Sequence, residues 1–190
     1  KLGTNIINAK SLIFYNKNGM EGITAALTEE WHVIYKDGMS EKYDDVRLIV
    51  FYLHSKYMVY LVRISDKLYI ISGKEKSEPF EYLNWLTFSP NSKRLVYSIK
   101  VNGKWYVVCG NKKDRSYEYA RDLSFSQNGN TFSYSVYADD KKEYVVCGDW
   151  ISKRYYYVRR PVFLPHNTLL FTAQENWMSP GNSFFLNMWK

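Results

Sequence analysis

Cysteine occurs twice in 190 residues, histidine three times and proline five times, and each scarcity removes a class of explanation. Two cysteines without a Cys-x-x-Cys, and histidines without paired spacing, supply neither a disulfide framework nor a metal-ligand set. The few prolines and ten glycines fit tight hairpins, not disordered linkers, and no low-complexity tract divides the chain. No apolar run approaches the roughly 18 residues of a membrane-spanning helix, so no span is expected. No signal peptide is written in these residues, a state that a trimmed secreted chain shares. Also missing are a Gly-x-Ser-x-Gly elbow, a P-loop, a Gly-x-Gly-x-x-Gly turn and a calcium loop, so no cofactor and no catalytic residue are expected.

Aromatic residues are abundant instead: 18 Tyr, 10 Phe and 6 Trp. They recur in register. Phe51, Phe88, Phe125 and Phe163 lie 37, 37 and 38 apart, and Tyr60, Tyr97 and Tyr134 follow the first three by nine. Phe171 follows Phe163 by eight, a one-residue deletion. Trp31, Leu68, Trp105 and Tyr144 form a third column, and Tyr43, Phe80, Tyr117 and Tyr155 a fourth. A strand-rich unit repeated at this period is an array of small sheets around an axis. The fold class is therefore all-β, a β-propeller of about five four-stranded antiparallel blades.

The columns divide one domain, 1–190, into repeats 1–46, 47–83, 84–120, 121–158 and 159–190. In the third repeat the expected strands are Leu86–Phe88, Leu95–Ile99, Trp105–Cys109 and Tyr117–Ala120, with Asn102-Gly103 as a two-residue hairpin turn. The first repeat takes Asn5–Ile7 and Leu12–Tyr15 as inner strands and reads Asn16–Glu30 as an insertion. Within that insertion Gly22–Glu30 is the best candidate for a helical turn. The last repeat has three strands, Pro161–Leu164, Thr168–Thr172 and Ser183–Trp189, and five-bladed closure is favoured over a piece of a longer ring.

Phe88-Ser89-Pro90-Asn91-Ser92-Lys93-Arg94-Leu95-Val96-Tyr97 resembles the FSPDGKRLAY signature of bacterial WD40-like (PD40, TolB-type) β-propeller repeats. Gly103–Val108 and Tyr43–Val46 are similar to the same family. The usual Asp-Gly turn is replaced by Asn91-Ser92 and Asn128-Gly129. The resemblance implies a rigid interaction platform without shared catalytic residues, and it leans toward a bacterial extracytoplasmic setting over the cytoplasm.

Four residues after each fourth-column aromatic stand Arg47, Asn84, Arg121 and Arg159, followed by Leu48, Trp85, Asp122 and Arg160. Placed in the connection from outer to innermost strand, these side chains approach the mouth of the central channel and suit a carboxylate, phosphate or acidic peptide. The competing reading has them pair with Asp44, Glu81 or Glu118 and lock blade to blade. Trp177, in the loop Gln174–Asn182, joins the candidate binding face. The expected partner is a protein or peptide. A glycan is a second possibility, and a hydrolase or lyase using the funnel is the rival class.

A separate basic signal runs through Lys36/Lys42, Lys74/Lys76, Lys112/Lys113/Arg115 and Lys153/Arg154, and the formal net charge is +7. No nucleic-acid-reading motif accompanies it, so nucleic acid is the lesser expectation. His54 and His166 share a turn position, and His32 has no evident partner in the sequence. Cys109 and Cys147 occupy equivalent positions on successive repeats, which diverge too far for a disulfide, so free thiols are expected.

Overall fold

The computed structural model describes residues 22–27, 30–35, 38–51, 58–91, 94–176 and 182–187. They form strands without an α-helix, and the chain divides into two compact units, Lys1–Phe80 and Glu81–Lys190.

The first unit holds a three-stranded sheet, β1 (Gly22–Leu27), β2 (Glu30–Tyr35) and β3 (Gly38–Met39). Its second sheet runs in sequence order through β4 (Asp45–Phe51), β5 (Met58–Ile64), β6 (Lys67–Ser72) and β7 (Glu75–Lys76). The second unit holds three sheets. One comprises β8 (Tyr82–Phe88), β9 (Leu95–Val101), β10 (Lys104–Cys109) and β11 (Lys112–Lys113). The next comprises β12 (Tyr119–Phe125), β13 (Phe132–Tyr137), β14 (Glu143–Cys147) and β15 (Trp150–Ile151). In the last, β16 (Tyr157–Val158) and β17 (Val162–Phe163) both pair β18 (Thr168–Gln174), whose other edge carries β19 (Asn182–Asn187). Every pairing among the described strands is antiparallel, and all but β16 with β18 join strands consecutive in the chain, the local pairing that short hairpin turns impose.

The aromatic columns are the core. Tyr43, Phe80, Tyr117 and Tyr155 are buried, as are Tyr60, Tyr97, Tyr134 and Phe171. Three fourth-column rings meet the second-column ring of the next sheet edge to face: Tyr43 on Tyr60 at 6.1 Å, Tyr117 on Tyr134 at 5.9 Å, Tyr155 on Phe171 at 6.1 Å. Such a pair is worth about 0.5–1.5 kcal/mol beyond its buried area. The period of the sequence is thus the period of a sheet-to-sheet contact.

A column unnoticed in the sequence stitches the outer strands. Ser40, Ser77 and Ser152 accept the amides of Val33, Ile70 and Val145 through Oγ at 2.8, 3.0 and 3.0 Å. Each donates in turn to the carbonyl of the following residue. In the third repeat the position is Asp114, whose carboxylate does different work.

Several expectations are corrected. Gly22–Leu27 is a strand, not a helical turn within an insertion. It pairs β2 over six residues from Gly22↔Tyr35 to Leu27↔Glu30, because nine residues make a poor helix in water whereas a hairpin satisfies their backbone at once. Asn5–Ile7 and Leu12–Tyr15 lie outside the described residues. Tyr117–Ala120 is not one strand. Gly110 (φ +58°) returns the chain so that Cys109 pairs Lys112, leaving Lys112–Lys113 as the fourth strand. Tyr117 then makes a single bridge to Trp105, while Tyr119 and Ala120 open the next sheet. The Asn102-Gly103 hairpin is as expected, with φ +49° and +79°. His32 does have a partner, the Ser40 carbonyl at 3.1 Å from Nδ1, and His54 lies outside the described residues. Both cysteines are free. Burial raises the Cys147 thiol to about 12, and Cys109 accepts from the Arg94 guanidinium at 3.1 Å.

Candidate functional site

The column Arg47, Asn84, Arg121, Arg159 falls inside the first strand of its sheet, not in a connection, at its first three members and directly after β16 at Arg159. It marks a recurring bulge. In β4 the pairing steps from Val46↔Val62 to Leu48↔Leu61, leaving Arg47 as the extra residue; in β8 it steps from Leu83↔Ile99 to Trp85↔Ser98, leaving Asn84. In β12 the irregularity lies between Arg121 and Ser124, where Asp122 takes φ +58°. In the last sheet the interruption is complete: Arg159, Arg160 and Pro161 separate β16 from β17, since proline has no N–H for the ladder. A bulge turns a side chain out of the alternation and aims it elsewhere.

Two of these side chains lock successive sheets. Asn84 Nδ2 donates to the Ala120 carbonyl at 3.0 Å, and Arg121 Nη2 reaches the Val158 carbonyl at 3.4 Å, one repeat further on. Arg121 also donates to both oxygens of Glu143 (2.9 and 3.1 Å) and lies 3.5 Å from Asp122. Glu143 is buried and additionally accepts the Val158 amide at 2.6 Å. The acids expected as partners are engaged otherwise. Asp44 accepts the Ser65 amide, Glu81 the amides of Asn102 and Gly103, and Glu118 pairs with Lys104. Arg47, in the first unit, is half exposed and pairs with Asp45 two residues away at 2.8 Å.

Within the second unit the sequence-predicted residues do come together. β12 lies beside β8 and β17, and the Arg160 guanidinium sits 5.2 Å from the Trp85 ring centroid. Arg159 is exposed. Trp177 lies outside the described residues.

The sequence reading missed the tyrosines. Tyr82, Tyr119 and Tyr157 each stand two residues after the fourth column and open the first strand of their sheet, a periodicity that was there to be read. Tyr82 is 62% exposed, Tyr157 39%. Tyr137, opposite Tyr119 in the ladder, and Tyr156 are exposed too. All lie at the end of the sheets where first strands begin and second strands end. Cations cover these rings: Lys100 on Tyr82 at 5.8 Å, Lys142 on Tyr156 at 5.8 Å, Arg121 on Tyr157 at 5.6 Å.

Part of the basic charge of the outer strands is paired. Lys153 pairs with Glu175, and Arg154 with Asp140 at 2.8 Å. Lys76 and Lys113 lie over Tyr69 and Tyr106. Asp114 accepts hydroxyls from Tyr117 (3.0 Å) and Tyr134, which also contact each other at 3.0 Å. Partial burial raises the Asp114 pKa, but the Tyr134 hydroxyl, the Arg115 amide and the Tyr117 hydroxyl outweigh it and hold the carboxyl below its ordinary value. Burial holds both tyrosines far above theirs.

Successive four-stranded meanders with bulged first strands make this an all-β chain of the β-propeller type. No family model matches it, and no curated protein does. Among solved structures it is similar to TolB from Acinetobacter baumannii, with 12% identity, a TM-score of 0.46, and coverage of 82% of this chain and 45% of that one. An uncharacterized protein from Listeria monocytogenes shows 11% identity, a TM-score of 0.48, and 74% and 50% coverage. A putative 6-phosphogluconolactonase from Bacteroides uniformis shows 13%, 0.42, and 91% and 70%. The chain spans about half the length of the first two. At these scores the likenesses carry no argument about function.

Proposed function

We propose that the chain is a non-enzymatic interaction module that holds a protein or peptide segment against the tyrosine-bearing end of its second unit. The observation that carries this is the clustering of exposed Tyr82, Tyr137, Tyr156 and Tyr157 at one end of the sheets; Arg160 covers Trp85 further along β8, and Arg159 is exposed. Tyr, Trp and Arg are the residues on which binding energy concentrates, and a stiff sheet presents them at little entropic cost. Asn84 and Arg121 fix one sheet against the next, and Asp122 lies beside Arg121. Arg47 is the matching position of the first unit, and Trp177 lies outside the described residues.

The carboxylates favour this reading over a hydrolase. Hydrolysis by paired carboxyls needs two of them facing across roughly 5 to 9.5 Å. Glu81 and Glu118 are each held by a local amide or cation, and Glu143 and Asp122 share the Arg121 guanidinium.

Random peptides displayed on phage and selected on the immobilised chain test the proposal. Binders are expected to lose about tenfold or more in affinity on Tyr82→Ala with Tyr157→Ala, at an unchanged melting temperature. A selection without binders, or binders indifferent to both substitutions, overturns it.

A further inference from the structure

Resting on that interaction reading, we infer that the segment accepted at the tyrosine-bearing end is acidic, a linear stretch of protein carrying several carboxylates. The charge of the chain is unevenly placed. Residues 1–80 hold 11 Lys/Arg against 10 Asp/Glu, whereas 81–190 hold 15 against 9, which puts +6 of the net +7 in the second unit.

Within that unit several cations have acid partners, Lys104 with Glu118 and Arg121 with Glu143 at the tyrosine-bearing end among them. The outer-strand cations Lys153 and Arg154 have acid partners. At the tyrosine-bearing end Lys100 and Lys142 lie over rings, further along β8 Arg160 lies over Trp85, and none of the three forms an ion pair among the described residues. A cation on an aromatic face keeps its charge and is partly desolvated by the ring, so a carboxylate arriving beside it meets a held donor.

The same capping argues against the other polyanions. A nucleobase or a sugar needs an open aromatic face on which to stack. The Tyr82, Tyr156 and Tyr157 rings each carry a cation over one face, so none of them offers both faces for stacking. Edges, hydroxyls and ammonium groups together suit a backbone with side-chain carboxylates.

Fluorescence anisotropy of the full chain tests this with three labelled probes of equal length: a glutamate–serine repeat peptide, its glutamine–serine counterpart, and oligothymidylate. The glutamate peptide is expected to bind, to weaken with added salt, and to lose about tenfold in affinity when Lys100→Gln, Lys142→Gln and Arg160→Gln are combined. A second variant, Lys100→Gln with Lys142→Gln, leaves the Trp85 stack intact and is expected to lose part of that affinity. Equal binding of the glutamate and glutamine peptides, unchanged affinity in both variants of normal melting temperature, or tighter binding of oligothymidylate overturns the inference. If phage-selected peptides depend on Tyr82 and Tyr157 yet carry no acidic excess, this inference fails and the interaction reading stands. If no peptide binds at that end, both fail.

Discussion

Removing Arg121 separates a structural role from a binding role at the bulge. The Glu143 side chain is 11% exposed, and Arg121 supplies two of the hydrogen bonds it accepts, leaving the Val158 amide as the third. Breaking a buried ion pair from one side costs about 3–5 kcal/mol, because a charge is left uncompensated. The guanidinium is 29% exposed, so water reaches the gap and about 2–3 kcal/mol is the better figure for Arg121→Ala. For a chain of this size that lowers the melting temperature by about 4–12 °C. Arg47→Ala removes an exposed pair with Asp45 and is expected to cost less than about 1 kcal/mol. Thermal melts followed by circular dichroism compare the two, and hydrogen exchange at the Val158 amide reports the lock locally. Adding Glu143→Gln to Arg121→Ala is expected to recover part of the loss, since an amide is cheaper to bury than a carboxylate. Should Arg121→Ala melt no lower than Arg47→Ala, or the second substitution restore nothing, the lock contributes nothing to stability.

Acid weakens the Asp114 cluster. A carboxyl held below its ordinary value contributes fully above the unfolded value of about 4 and loses that contribution as pH falls through its lower folded value. The deficit of Asp114→Asn is therefore expected to shrink as melts are taken from pH 7 toward pH 2, and a constant deficit refutes the assignment. Gly129→Ala is expected to cost more than Gly103→Ala in urea titrations. Both have positive φ, but a Cβ at Gly129 meets Asn91 and Ser89 at 3.3 Å, whereas at Gly103 it meets open space. Equal costs count against the packing of those two turns. The Ser135 hydroxyl is buried without a hydrogen-bond partner among the described residues, so Ser135→Ala is expected to be neutral or to stabilise by about 1 kcal/mol, and a loss above that value reveals a partner.

The aromatic spacing alone dictated the sheets, because a ring buried between two sheets must recur wherever that contact recurs. Tyr117 on Tyr134 and Tyr155 on Phe171 are the same interface written twice. The Asn102-Gly103 turn was legible for a similarly local reason, two residues that tolerate positive φ. Sequence also pointed to Asn84, Arg121 and Arg159 as a set, without revealing what they do. A bulge depends on the register of two strands, and register is a property of pairing, not of either strand. Glu143 gave no signal, since its role exists only because Arg121 and the Val158 amide arrive from elsewhere in the chain. Which tyrosines are exposed was likewise decided by packing: Tyr82 and Tyr119 share a column, yet Trp105 stands edge-on to Tyr119 at 5.1 Å while Tyr82 faces solvent. Periodicity reaches as far as contacts that repeat; the site is made from those that do not, and only the folded chain brings them together.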